Sequence, residues 1–280
     1  VRRGLVAAAV AALLAAGCRT SLPPAVPLAP EDPRPVALLA SLGERGAELQ
    51  ALRGLAKLSV EGPEGSLRSK QVLVVARPAR LRVEVLGFLS QTVALLATDG
   101  ETYDLFQVKE RRFERAPVHP GLLWEVAGIA LAPDEAVRVL LGAPDLEDLA
   151  PAGAVALPEG GVGVLLADAG GSRRRGVEFD SGGALRRLTA WRPGGLVAWD
   201  VRYDDVEERD GLAFAHQIAL EFPATGVEAE IDLDRVELNP SLGSKVFELE
   251  PPPGVRISRP PAFPASPAVD PAPPPEPRGG

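Results

Sequence analysis

Residues 80–103, RLRVEVLGFLSQTVALLATDGETY, read as two strands joined at an apolar tip. Leu81, Val83 and Val85 alternate with Arg82 and Glu84, the two-residue period of a half-buried strand. Gly87 permits a turn and Ser90 closes it. Between them stand Phe88 and Leu89, where a soluble hairpin would carry Asn, Asp or Lys. The second strand, residues 91–98, is apolar on both faces and ends in Asp99–Gly100, a strong hairpin-turn dipeptide. The tip has two readings, tucked into the core or offered to lipid. The doubly apolar strand likewise lines either a ligand cavity or a dry core.

The chain has 280 residues, room for one large domain or two small ones. Its net charge is −8 with pI ≈ 5.0. That balance argues against nucleic acid, whose phosphates need a basic surface, and disfavours purely electrostatic docking on anionic lipid. A membrane contact must then be apolar or covalent.

The N-terminus offers a covalent route. Arg2 and Arg3 precede an apolar stretch over 5–16, and Gly17–Cys18 follows at once. The stretch is too short for a stable membrane span and has the build of a secretory signal. Leu14-Ala15-Ala16-Gly17-Cys18 resembles a bacterial lipoprotein signal, with Ala15 where leucine is usual; the resemblance implies that Cys18 is lipidated and anchors the chain to a membrane. Arg19, in place of Asp, suits sorting toward the outer membrane. Cys18 is the sole cysteine, so no internal disulfide forms. The expected organisation is a signal over 1–17, a lipidated cysteine and proline-rich tether over 18–35, one folded domain over 36–257, and a disordered proline-rich tail over 258–280.

Within the domain, residues 36–52 read as a helix with Leu38, Leu42, Leu49 and Leu52 on one stripe, although Gly43 and Gly46 cost about 1 kcal/mol each relative to Ala. Strands follow near 56–60 and 71–76, then the opening hairpin, then a short hairpin over 103–108 and 112–115. Helical spacing takes over at 120–131 and 133–141, where Pro133, Asp134 and Glu135 make a good helix start. After a loose region over 145–160, strands resume at 162–167, 176–179, 185–191, 196–203, 214–222 and 227–238. The alternation slips phase past Asp234, which predicts a bulge. Such a chain is a β-rich α+β protein. Its curved antiparallel sheet forms an unclosed half-barrel, with an N-terminal helix and short lid helices carrying Trp124, Val137 and Leu140 over the concave apolar face.

No catalytic constellation is present, so the expected protein is not an enzyme and takes no cofactor or metal. His119 and His216 are isolated, without the spacing of a metal site. Asp204, Asp205, Glu207, Glu208 and Asp210 lack the oxygen spacing of the known calcium loop and read as a solvated hairpin turn. Arg173 to Arg175 read as a solvated basic turn.

Three features together carry a further resemblance: the lipoprotein signal, the strand-tip-strand EVLGFLSQTVALLATDG, and the helical pair LLWEVAGIALAPDEAVRVLLGAPD. The closing segments VRYDDVEERDGLAFAHQIALEF and DRVELNPSLGSKVFELEPPPGVRI fit the same pattern. The chain is similar to the LolA/LolB-like lipoprotein-localisation superfamily, nearest to the LolB-like outer-membrane lipoproteins. The resemblance implies an apolar cavity for acyl chains of lipoproteins or other envelope lipids, with Leu81, Val83, Val85 and Leu96 in its wall. It implies that Phe88–Leu89 plays the part of an exposed leucine loop, although Leu86–Gly87 stands where that group has a proline-containing turn. It also implies a monomer on the periplasmic face of the outer membrane, receiving cargo from a soluble periplasmic carrier. The alternative is a scaffolding lipoprotein with a packed core and no lipid cargo.

Overall fold

The computed structural model describes residues 25–209 and 211–258. The expected signal, Cys18, Asp210 and the tail from 259 onward lie outside the described residues. The strands are β1 (Val26–Pro27), β2 (Ala51–Gly62), β3 (Gly65–Ala76), β4 (Arg80–Leu86), β5 (Thr92–Thr98), β6 (Thr102–Gln107) and β7 (Arg112–Pro117). After two helices come β8 (Ala150–Ala156), β9 (Val162–Ala167), β10 (Arg174–Phe179), β11 (Leu185–Trp191), β12 (Val197–Arg209), β13 (Leu212–Phe222), β14 (Val227–Leu238) and β15 (Ile257–Ser258). The helices are α1 (Arg34–Glu48), α2 (Leu122–Ala127) and α3 (Pro133–Leu140).

All the strands join one sheet, which runs from β1 through β8 to β14, then β2 to β7, and ends on β15. Neighbours are antiparallel except β15, which lies parallel to β7. The seam between β14 and β2 places Ile231 opposite Leu58, so early and late strands share one core. The sheet does not close: β1 and β15 are its two edges. This is the unclosed half-barrel expected from the alternation. The predicted bulge is at its place, a register shift between Asp234 and Glu237 with Arg235 at φ 50°.

The main core fills the concave face. Leu42 and Leu49, from α1 and its end, pack there with Val164, Leu188, Val201 and Ile218 of the sheet. Gly46 is more than a cost to this helix: a Cβ there would meet the Ala143 Cβ at 3.2 Å, so glycine lets α1 lie against the segment that follows α3. Asn239 fixes the end of α1, its side-chain oxygen accepting from the Gln50 and Ala51 amides at 2.8 and 3.1 Å.

The convex face is covered by the segment that follows β14. Phe247 packs on Ala51, Val74 and Ala76, and Leu249 on Ala97 and Phe113. Asp104 holds this strap, accepting from Arg115 at 2.5 and 2.8 Å and from the Leu249 amide at 2.9 Å. The doubly apolar β5 now has its reason. Ala94 and Leu96 face inward, while Leu95 and Ala97 face the strap.

Several boundaries differ from the sequence reading. The expected tether gives its last residues to the body, since Val26 and Pro27 pair with β8 and α1 begins at Arg34. The expected loose region contains β8, which pairs through its backbone despite an Ala/Pro/Gly-rich sequence. The acidic run is not a turn: Asp204 to Glu208 continue β12 in unbroken register with β13, although Asp205 has φ 50°.

Replacing Phe247 by Ala should cost about 3 kcal/mol through the cavity it opens under the strap. Urea unfolding monitored by tryptophan fluorescence measures this; a loss under about 1 kcal/mol would mean that the strap is not part of the cooperative fold.

Candidate functional site

Where β2 to β6 curve beneath the segment carrying α2 and α3, the fold encloses a cavity of about 350 Å³. That volume lies near the lower end of the range for small-molecule sites. Its floor is one strand row after another: Leu73, Val83, Leu96 and Leu105 are cross-strand neighbours, and all line it. Its roof is Leu123, Val126 and Ala127 from α2, then Ala136, Val139 and Leu140 from α3.

The structure places Leu81, Val83, Val85 and Leu96 together in the cavity wall. Leu140 is in the roof. Trp124 and Val137 take other positions. Helical spacing turns Trp124 to solvent, 42% exposed, and gives the inward place to Leu123. Val137 is fully buried within the main core, outside the cavity lining.

The mouth is marked by lining residues that are also exposed, Leu67 and Val126. Lys70 pairs with Leu86 at the end of β4, so Ser69 and Leu67 extend β3 alongside the turn that bears the tip. That turn is closed by Ser90 donating to Gly87 O at 2.9 Å and Gly87 to Gln91 O at 2.7 Å, with Ser90 at φ 62°. Phe88 and Leu89 project from it, 98% and 81% exposed. Val93 and Val108, joined by a backbone hydrogen bond at 3.1 Å, add further exposed apolar surface beside the turn. The result is an apolar rim around one end of the cavity. Leu67 escaped the sequence reading, although Leu67, Leu73 and Val75 share a strand face that the period of two makes visible.

The two roof helices are held differently. α3 is latched to the sheet. Glu135 faces Arg175 at 3.3 Å, and Arg175 in turn stacks over Trp199 at 5.3 Å. Burial pushes the Glu135 carboxyl above the usual range, against the pull of Arg175 and the hydrogen bond from Trp199. The Tyr203 hydroxyl donates to Val139 O at 2.9 Å. Behind α3, Asp145 binds Arg138 at 3.2 Å and Arg173 at 2.8 Å. Burial there is outweighed by the Glu147 amide and the two guanidiniums, so its carboxyl is lowered. Arg173 and Arg175 are thus not part of a solvated turn: they tie the roof and the segment behind it to β10. α2 has a lighter hold. It ends on Gly128 at φ 71°, and its ion pair among the described residues is Glu125 with His119 at 3.7 Å, within the same connection.

His216 serves the fold. One ring nitrogen lies 2.8 Å from Leu233 O and the other 2.8 Å from Glu207. Both neighbours accept, so the imidazolium satisfies both. Burial opposes the charge, but the Leu233 carbonyl and Glu207 outweigh it and raise the pKa. Among the described residues no cluster of His, Cys, Asp or Glu could hold a metal, and no helix is long and apolar enough to cross a membrane.

The architecture is shared with solved structures described as a LolA superfamily protein and a lipoprotein-sorting domain. No protein-family model matches the sequence, and no curated protein does. Solved structures match the fold. A domain assigned to outer-membrane lipoprotein sorting from Vibrio parahaemolyticus aligns at TM-score 0.55 and 11% identity, over 76% of this chain and 95% of that one. A DUF1329 family protein from Desulfovibrio piger aligns at 0.54 and 15%, over 78% and 98%. A LolA superfamily protein from Nitrosomonas europaea aligns at 0.52 and 13%, over 74% and 96%. At these identities the likeness is one of fold.

Glu135→Gln should leave Arg175 half-satisfied beneath the roof and cost about 2 kcal/mol of stability, measured by denaturant unfolding. Because His216 has a higher pKa folded than unfolded, its stabilisation is complete below the ordinary histidine range and is lost as pH rises through the folded value. His216→Gln should remove that fall from the stability–pH curve; an unchanged curve would refute the assignment.

Proposed function

We propose that this chain is a non-enzymatic, lipid-anchored protein of the bacterial envelope. It shelters acyl chains of lipoproteins or envelope lipids in the cavity and places them in the outer membrane at the Phe88–Leu89 tip. The observation that carries this reading is the meeting of two features on one hairpin: β4 and β5 supply the cavity floor, and the turn between them bears the most exposed apolar pair in the body. Each CH₂ held away from water contributes about 0.8 kcal/mol. A chain leaving through the mouth therefore gains from a route along an apolar rim rather than through solvent. The acidic balance of the protein gives no electrostatic help on anionic lipid, so the tip and the lipid expected on Cys18 make the contact.

The unequal hold on the roof supports a mechanism. α3 stays fixed by Glu135, Tyr203 and Asp145, and α2 moves to admit or release the chain. A soluble periplasmic carrier would deliver the cargo at the same mouth. The LolA-like fold and the lipoprotein-sorting neighbours support this reading by analogy.

Phe88→Glu together with Leu89→Glu should leave folding and uptake of a fluorescent acyl probe intact while slowing transfer to phospholipid vesicles about tenfold or more, since two charges must be desolvated at the contact. Transfer at the unaltered rate would overturn the tip's role. Mass spectrometry of lipid retained during purification tests the cavity itself. Persistent absence of acyl cargo, with no probe uptake, would favour the scaffolding alternative.

A further inference from the structure

The cavity wall is apolar apart from Ser69, Gln71, Gln107 and Glu125. Gln71 stands out. It is only 6% exposed, and its carboxamide has no hydrogen-bond partner among the described residues. Its polar atoms are not sealed in the core but open onto the cavity, at a place where packing alone would put Leu or Val.

The register shows where this amide sits. Gln71, Val85, Ala94 and Gln107 are successive cross-strand neighbours and form a single row across β3 to β6. Inward from it lies the dry row of Leu73, Val83, Leu96 and Leu105. Outward from it lie Ser69 and Leu67 at the mouth. An amphiphile entering by the mouth would lay its chain along the dry row and leave the junction of chain and head beside Gln71 and Gln107. Each carboxamide offers both donors and an acceptor. Among the described lining residues there is no lysine or arginine, and the sole ionisable side chain is the Glu125 carboxylate at the mouth. A carboxylate seated at this row would be desolvated without a counter-charge.

We propose that the cavity selects amphiphiles whose chain-to-head linkage is uncharged and bears a carbonyl, an ester or amide, hydrogen-bonded by Gln71 and Gln107, and that it discriminates against free fatty-acid anions. The proposal rests on the acyl-chain reading of the cavity and adds the polar group that the cavity accepts.

The test is displacement of a fluorescent acyl probe from the full chain by monooleoylglycerol and by oleate at mildly alkaline pH, two ligands with one chain and different linkages. The neutral ester should bind about tenfold more tightly or better, by the size of a desolvated charge without a partner. Gln71→Leu should weaken monooleoylglycerol about fivefold, the loss expected for one hydrogen bond. Gln71→Lys should turn the preference toward oleate. Gln107→Leu, at a less buried place in the same row, gives the comparison should the Gln71 variants fail to fold, and it should weaken the ester in the same direction. Equal or tighter binding of oleate by the unaltered protein, or unchanged ester affinity in both leucine variants, would overturn the linkage assignment while leaving the cavity reading standing. Failure of both ligands and the probe to bind would overturn the two together.

Discussion

The chain between β7 and β8 has to travel from one end of the sheet to the other. Strand order puts β7 beside the last edge strand and β8 beside the first, with every other strand between them. A sheet whose concave face carries Val75, Leu81, Leu96, Leu188, Val201 and Ile218 needs that face covered, and the connection supplies the cover. α2 and α3 are therefore consequences of topology as much as of helix propensity. A closed barrel would need no such crossing. An open one with a bare face would not remain soluble. The cavity is what remains where the short crossing helices do not fill the curve of β2 to β6, while α1 fills the other half.

The same constraint explains the distribution of polar anchors. Two buried charges sit where a cover meets the sheet, Glu135 with Arg175 under α3 and Asp104 with Arg115 under the convex strap. A third, Asp200 with Arg187, links neighbouring strands on the outer face of β11 and β12. Each is worth little as a contribution to overall stability and much as a register mark, because leaving one partner alone in a half-dry setting is costly. The cavity wall is built to a different rule. Its one deeply placed amide, Gln71, is held by no hydrogen bond from the described side chains and opens onto the cavity, unlike these anchored charges.

Much of this was legible in the residues. Alternation located the hairpins, Asp99–Gly100 marked a turn, and the phase slip past Asp234 marked a bulge that the backbone contains. The apolar pair Phe88–Leu89 stood out because no solvated turn requires it. What escaped had physical causes. β8 is written in alanine, proline and glycine, and it exists because the backbones of β9 and β1 pair with it, a contribution that side-chain patterns do not show. The charged end of β12 looked like a turn because its acidic residues Asp204, Asp205 and Glu208 all face water there. The inward face of α2 differed by one residue, since Leu123 and Trp124 are both apolar and only packing chooses between them. Gln71 was hidden by reading β3 from its apolar end alone.

The chain enters the sheet at one edge and leaves it at the opposite one. A pull applied ahead of residue 25 is thus borne first by β1, whose register with β8 is two residues long and includes a proline that has no N–H to give to the ladder. Such an edge peels before α1 or the core is loaded. Were the body tied to a surface by that end, the first strand would be the first element to yield, ahead of the cavity and its tip.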